Sequence, residues 1–237
     1  MGNESNEGQV GLLHAASCPN VRVQYLGKQI STTRFCTITS PPDRIVALAR
    51  EVGVIRARDV EEIGVHRKHL RALVESGQLE RISRGTYRLV EAVQGEYGSL
   101  AEVTAQVPDA VVCLLSALSY HGLTTQSPAE VWIAIAPKAW MPSVATTRLR
   151  VVRMSDPWLQ DGVMTIRIDG AQVRVTDPQR TVVDCFRFRN SVGLDVALEA
   201  LRDCLSQRLA TPSQLMEIAQ RRGVGSVVRP YLEALTA

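Results

Sequence analysis

From residue 41 onward, apolar positions follow a helical period in three successive runs and then an alternating one. Pro41-Pro42-Asp43 breaks the preceding chain and opens a helix in which Ile45, Leu48, Ala49 and Val52 fall at i, i+3, i+4 and i+7, with Gly53 as its stop. A shorter helix over 57–63 puts Val60 and Ile63 on one face and ends at Gly64. A third helix over 66–76 carries Leu70, Leu73 and Val74 as its stripe and stops at Gly77. The next run, Leu79 to Val90, alternates apolar and polar residues on both sides of Ser83-Arg84-Gly85, the signature of a β-hairpin. Three helices and a hairpin make the layout of a winged helix-turn-helix, in which the hairpin is the wing and Arg84 stands at its tip.

Beyond residue 93 the pattern changes. Val111, Val112, Leu114, Leu115, Leu118 and Tyr120 read as an apolar helix over 109–123, closed by His121-Gly122. Strands are expected over 131–136, 149–154, 162–168 and 171–176, the last two joined by Asp169-Gly170, a strong hairpin turn. Thr176-Asp177-Pro178-Gln179 is a helix-start signature, with Pro early and Gln three residues after Thr. Helices follow over 179–188, 194–207, 212–222 and 227–235. Strands first and helices after predict an α+β domain with a mostly antiparallel sheet and a helical C-terminus. The expected organisation is a flexible N-terminal tail over 1–41, the winged helix-turn-helix over 42–92 and the α+β domain over 93–237.

Length and composition agree with this division. A chain of 237 residues suits two domains better than one, and 45% hydrophobic with 22% charged residues is ordinary for a folded protein. No stretch approaches the ~20 apolar residues of a membrane-spanning helix. The start, Met1-Gly2-Asn3-Glu4-Ser5-Asn6-Glu7, has neither a basic run followed by an apolar one nor a myristoylation pattern. Cys18, Cys36, Cys113, Cys185 and Cys204 are odd in number and form no Cys-x-x-Cys pair, which fits reduced thiols. A soluble cytoplasmic protein is expected.

Charge sharpens the middle of the chain. Residues 43–62 carry four Arg against five Asp/Glu, a net −1, whereas residues 64–90 carry six Lys/Arg against two Glu, a net +4. Residues 93–237 are neutral overall. With Leu70 at the centre of the third helix's buried stripe, Arg67 lies roughly 60° away, Arg71 roughly 100° and Lys68 roughly 160°. A helix fits the major groove, and guanidinium forks on its exposed flank can reach guanine edges. Arg81 and Arg84 on the wing could neutralise phosphates or enter the minor groove. Winged helices also serve as protein-docking modules, and scattered surface arginines are then merely solvated. His66 and His69 stand near the same helix start, but no Cys or third ligand accompanies them, so they read as packing or phosphate-contact residues rather than metal ligands.

Catalytic signatures are missing from the sequence: there is no Gly-x-Gly-x-x-Gly, no Gly-Lys-Ser/Thr phosphate loop, no His-Glu-x-x-His and no Gly-x-Ser-x-Gly. Asp177, Arg180 and Asp184 could form a charged row for a nuclease or transferase. They read more simply as a helix cap and an i, i+4 ion pair. His121 reads as a helix C-terminal residue rather than a general base. The chain is therefore expected to be no enzyme and to need no cofactor or metal.

Leu79-Glu80-Arg81-Ile82-Ser83-Arg84-Gly85-Thr86-Tyr87, as the wing, resembles the N-terminal domain of the AbiEi family of bacterial antitoxins. Leu115-Ser116-Ala117-Leu118-Ser119-Tyr120-His121-Gly122-Leu123 and Asp177-Pro178-Gln179-Arg180-Thr181-Val182-Val183-Asp184 are similar to that family's second domain. The resemblance covers residues 43–237. It implies the antitoxin of a type IV toxin–antitoxin (abortive infection) pair, which represses its own operon and counters a nucleotidyltransferase-like toxin. Carried onto this chain, the DNA-binding residues are Arg67, Lys68 and Arg71 on the reading helix and Arg81 and Arg84 on the wing. The expected partners are double-stranded operator DNA with repeated sites and a cognate toxin, countered functionally or by direct contact. No membrane is involved, and the chain is expected to be a monomer in solution. The alternative is an interaction module that neutralises a partner by direct binding, with DNA contact incidental.

Overall fold

The computed structural model describes residues 22–25, 28–31, 40–91, 95–144 and 146–236. Strands β1 (Arg22–Tyr25) and β2 (Lys28–Ser31) pair antiparallel within the stretch expected as a tail. The rest of that stretch, up to residue 39, lies outside the described residues.

Helix α1 (Pro41–Val52) has Pro in its first turn, where no intrahelical N–H is needed, and buries Ile45, Leu48, Ala49 and Val52. Strand β3 (Val54–Arg56) follows at once, then α2 (Ala57–Glu62), α3 (Lys68–Glu75), β4 (Leu79–Ser83) and β5 (Thr86–Leu89). Strand β3 was not among the expected elements, since three residues cannot display an alternation. It pairs antiparallel with β5 and gives the sheet order β3-β5-β4. The helices close over this sheet through Ile45, Leu48, Ile55, Val60, Leu70, Leu73 and Leu79. Arg44 ties α1 to the turn after α2 by donating to the Ile63 carbonyl.

The second unit begins with α4 (Gly98–Gln106) and continues through β6 (Val111–Val112), α5 (Leu114–His121), β7 (Val131–Ile135) and β8 (Leu149–Arg153). A short α6 (Asp156–Gln160) precedes β9 (Val163–Ile168) and β10 (Ala171–Thr176). The chain ends in helices α7 (Pro178–Arg187), α8 (Arg189–Val192), α9 (Leu194–Ser206), α10 (Pro212–Arg221) and α11 (Gly225–Thr236).

Two expectations are corrected here. The helix expected over 109–123 opens as strand β6 and becomes helical only from Leu114, itself at φ 48°. A continuous apolar run has no period to separate strand from helix, and the β-branched pair Val111-Val112 fits between two strands. The sheet, in order β8-β7-β6-β10-β9, is mixed rather than mostly antiparallel. β6–β7 and β9–β10 are antiparallel, while β6–β10 and β7–β8 are parallel. The long connection between β7 and β8 returns the chain to the same end of the sheet, which a parallel pair requires.

This sheet is covered on both faces. Along β7, Val131, Ile133 and Ile135 join Val112, Val173, Val175 and the α4 residues Leu100 and Val103. Trp132 and Ala134 point to the opposite core, with Leu118 of α5, Val182 and Phe186 of α7 and Leu201 of α9. Two-sided burial explains why β7 reads as a solid apolar block. Helix α4 also escaped the sequence reading, because residues around its whole circumference, from Leu100 to Ala105, are buried and leave no stripe.

The two units meet along several bonds. Arg88 of β5 pairs with both Glu80 and the buried Glu102 of α4. Arg167 Nη2 donates to the Glu51 carbonyl at 2.7 Å, and the Gly95 amide donates to Asp169 Oδ2 at 3.1 Å. No described helix is long and apolar enough to cross a membrane.

Candidate nucleic-acid interface

Helix α3 is anchored by Leu70 and Leu73, both buried, while Val74 is only half-buried. The helix starts at Lys68, two residues later than its pattern suggests, with Arg67 at the N-cap position. Arg67, Lys68 and Arg71 are all exposed. Two of them have carboxylate neighbours: Arg67 Nε lies 3.7 Å from Glu61 Oε1, and Arg71 Nε donates to Glu75 Oε1 at 2.7 Å. Exposed pairs of this kind contribute only about 0–1 kcal/mol, so a polyanion can displace them. His66 Nδ1 accepts from the Lys68 amide at 3.1 Å, a local bond at the helix start. Among the described residues no group of three His, Cys, Asp or Glu is placed to hold a metal ion.

The β4–β5 hairpin turns at Arg84-Gly85, where Gly85 takes φ 78°, a left-handed conformation that suits glycine. A register shift between Arg81 and Ser83 marks a bulge beside the turn. Arg81 is exposed and its Nε donates to the Ser83 carbonyl at 3.2 Å. Arg84, also exposed, lines a groove together with Arg56 and Arg58. Arg56 and Arg58 do not stand out by local charge, because they sit in a segment whose net charge is negative.

Asp177, Arg180 and Asp184 form a helix cap and a buried ion pair. Asp177 caps α7, its Oδ1 accepting from the Arg180 amide at 2.7 Å. Thr176 is instead the last residue of β10, its hydroxyl 2.6 Å from that of Thr181. Arg180 Nε donates to Asp184 Oδ2 at 3.0 Å, and each side chain is 1% exposed. Arg222, 2% exposed, brings Nη1 to 3.7 Å from Asp184 Oδ1. Burial raises the Asp184 carboxyl above its ordinary range, and the guanidiniums of Arg180 and Arg222 pull it back. Arg187 and Arg222 flank the Trp158 ring at 4.0 and 5.0 Å.

His121 ends α5 and donates Nε2–H to the Thr176 carbonyl at 2.7 Å. Burial holds its imidazole below the ordinary 6.5, against the opposing pull of that carbonyl and of Asp177. Above 6.5 both folded and unfolded chains carry it neutral. As pH falls below 6.5 the unfolded chain takes up a proton that the folded one refuses, so stability declines until the folded value is passed. Urea unfolding over this range should show that decline, and His121→Asn should flatten it.

Residues 43–90 match the family model described as "Transcriptional regulator, AbiEi antitoxin". Residues 110–232 match the model described as "AbiEi antitoxin C-terminal domain". The chain is also similar in fold to the RV2827C protein from Mycobacterium tuberculosis, seen in a crystal structure. The TM-score is 0.52 at 19% identity, over 76% of this chain and 71% of that one. No curated protein matches the chain.

Proposed function

The chain belongs to the AbiEi antitoxin family, and on that premise we propose that it is a DNA-binding autorepressor and the antitoxin of a type IV toxin–antitoxin pair, countering a nucleotidyltransferase-like toxin. In this reading residues 42–92 work as a winged helix-turn-helix. Helix α3 enters the major groove, Arg67 and Arg71 contact base edges or flanking phosphates with Lys68 beside them, and Arg81 and Arg84 of the wing engage the backbone. Residues 93–237 carry the antitoxin activity. A monomer on repeated operator sites and a cytoplasmic setting complete the proposal; the buried free thiols of Cys113, Cys185 and Cys204 agree with reducing surroundings.

The observation that carries this reading is the exposed cationic flank of α3 beside the buried Leu70 and Leu73. Mobility shift on DNA from the chain's own promoter region tests it. Arg67→Ala with Arg71→Ala should weaken binding by about 1–3 kcal/mol per base contact and relax sequence preference. Unchanged affinity would remove α3 from the role of reading helix.

One feature favours direct partner binding as a second reading. Trp140 is 93% exposed beside the exposed Met141. Arg153 Nη1 pins their loop by donating to the carbonyls of Pro137 at 2.6 Å and Ala139 at 3.0 Å. A large aromatic held out in water on a braced loop is the kind of group that anchors protein interfaces. If Trp140→Ala abolishes protection from the toxin while operator binding persists, this second reading gains the antitoxin half of the function.

A further inference from the structure

Guanidinium groups gather at a second place, the groove beside the β4–β5 turn. It is an open groove of about 440 Å³ lined by Arg56 and Arg58 around the start of α2, Arg84 at the turn, and Gln106 and Ser143 of the second unit. No carboxylate lines the groove among the described residues. Behind its wall, Asp59, 2% exposed, is shared by two arginines, with Arg56 Nε at 3.2 Å and Arg58 Nε at 3.7 Å. The Arg58 side chain is 62% exposed and its contact with Asp59 is too long for a hydrogen bond. Arg84 adds another positive charge on the exposed turn.

An independent sign comes from the other side of the groove. The Gln106 side-chain nitrogen Nε2 is buried with no hydrogen-bond partner. Buried amides are ordinarily satisfied, so this one marks an unfilled polar position in the second unit's wall. Planar guanidiniums with a neutral amide and a hydroxyl beside them match the oxygens of a phosphate.

We propose that this groove binds a phosphate group, with Arg58 and Arg84 as its charged contacts and Gln106 and Ser143 of the second unit on its other side. The groove is walled by both units, so an occupied site links them. The phosphate has two sources, a free phosphoanion or the backbone of bound DNA, and the experiment separates them.

Thermal unfolding of the full chain is followed against pyrophosphate for wild type, for Arg58→Ala with Arg84→Ala, and for Arg202→Ala, an exposed arginine outside the groove. In parallel, the affinity of wild type and Arg58→Ala for promoter DNA is measured across salt concentrations. Saturable stabilisation by pyrophosphate that survives Arg202→Ala and disappears in the double variant supports a free phosphoanion. No pyrophosphate response, with the slope of log affinity against log salt reduced by about 1 in Arg58→Ala, supports a DNA phosphate. Pyrophosphate effects equal in all three proteins, or no response in either arm, overturn the proposal. A wild-type chain that binds no DNA defeats the autorepressor reading instead and leaves the pyrophosphate arm to decide this one.

Discussion

Asp184→Ala lowers the stability of the chain by about 3–5 kcal/mol, read as an earlier unfolding midpoint in urea at unchanged slope. Arg180 and Arg222 are 1% and 2% exposed, and both approach this one carboxylate. Without it two guanidiniums stay buried with no counter-charge at that position. The Asp161 carbonyl accepts from Arg180 Nη1 at 2.5 Å and from Arg222 Nη2 at 3.2 Å, and the exposed Asp161 carboxylate, with Oδ2 3.4 Å from Arg222 Nη2, offsets only the Arg222 charge. Asp184→Asn retains an acceptor for Arg180 Nε and should lose less. The comparison separates structure from catalysis, since a structural pair scales with lost charge and packing. Were Asp184→Ala as stable as wild type, or were Asp184→Asn to abolish a metal-dependent turnover in a folded chain, the cluster would have to be reassigned to chemistry.

The legible parts of the fold are those with a helical period or clear turn signals at their ends, including β7, which is buried on both faces. Helices α1, α7, α9, α10 and α11 lie within a few residues of their expected ranges, while the four-residue α8 was not expected. Asp169-Gly170 fixed the β9–β10 hairpin, whose register runs from Ala171 opposite Ile168 to Thr176 opposite Val163. What escaped is the interior. Strand β6, between β7 and β10, and helix α4, between the two units, are buried on every side and so carry no period. Strand direction escaped as well, because apolar patterning is the same for parallel and antiparallel neighbours.

The site was legible to the extent that its cations share one helix or one hairpin. Arg67, Lys68 and Arg71 are close in sequence, and Arg81 and Arg84 flank a turn that Gly85 announces. Arg56 and Arg58 were hidden by summation, since Glu61 and Glu62 in the same segment cancel them on paper. In space the cancellation is incomplete. Glu61 reaches toward Arg67 instead, leaving Asp59 as the carboxylate that Arg56 and Arg58 share. Net charge over a window is a poor guide wherever the chain turns sharply enough to send its acids and bases to different faces.

Gly53→Ala should be more damaging than its single added methyl suggests. Gly53 closes α1 at φ 75° and ψ −72°, close to the strained γ-turn conformation, and holding another residue there costs about 1–3 kcal/mol. The second penalty is contact: a Cβ would sit 1.7 Å from the Asp169 carbonyl oxygen and 2.9 Å from its carbon. Those are backbone atoms of the β9–β10 turn and have no rotamer by which to withdraw. The opposing side is equally tight, since a Cβ on Gly170 would meet the Gly53 nitrogen at 2.7 Å. The two turns interlock only because both are glycine. Any shift that relieves the clash must also disturb the Arg167–Glu51 and Gly95–Asp169 bonds at the same seam. Gly77→Ala is the control, with a similar φ of 72° but no atom within 4 Å of its added carbon. If Gly53→Ala destabilises well beyond Gly77→Ala, the excess measures the contact between the units, and separate unfolding transitions would show that they have parted. Equal losses would mean that the seam yields freely, and a groove walled by both units could not then hold its two sides at a fixed distance.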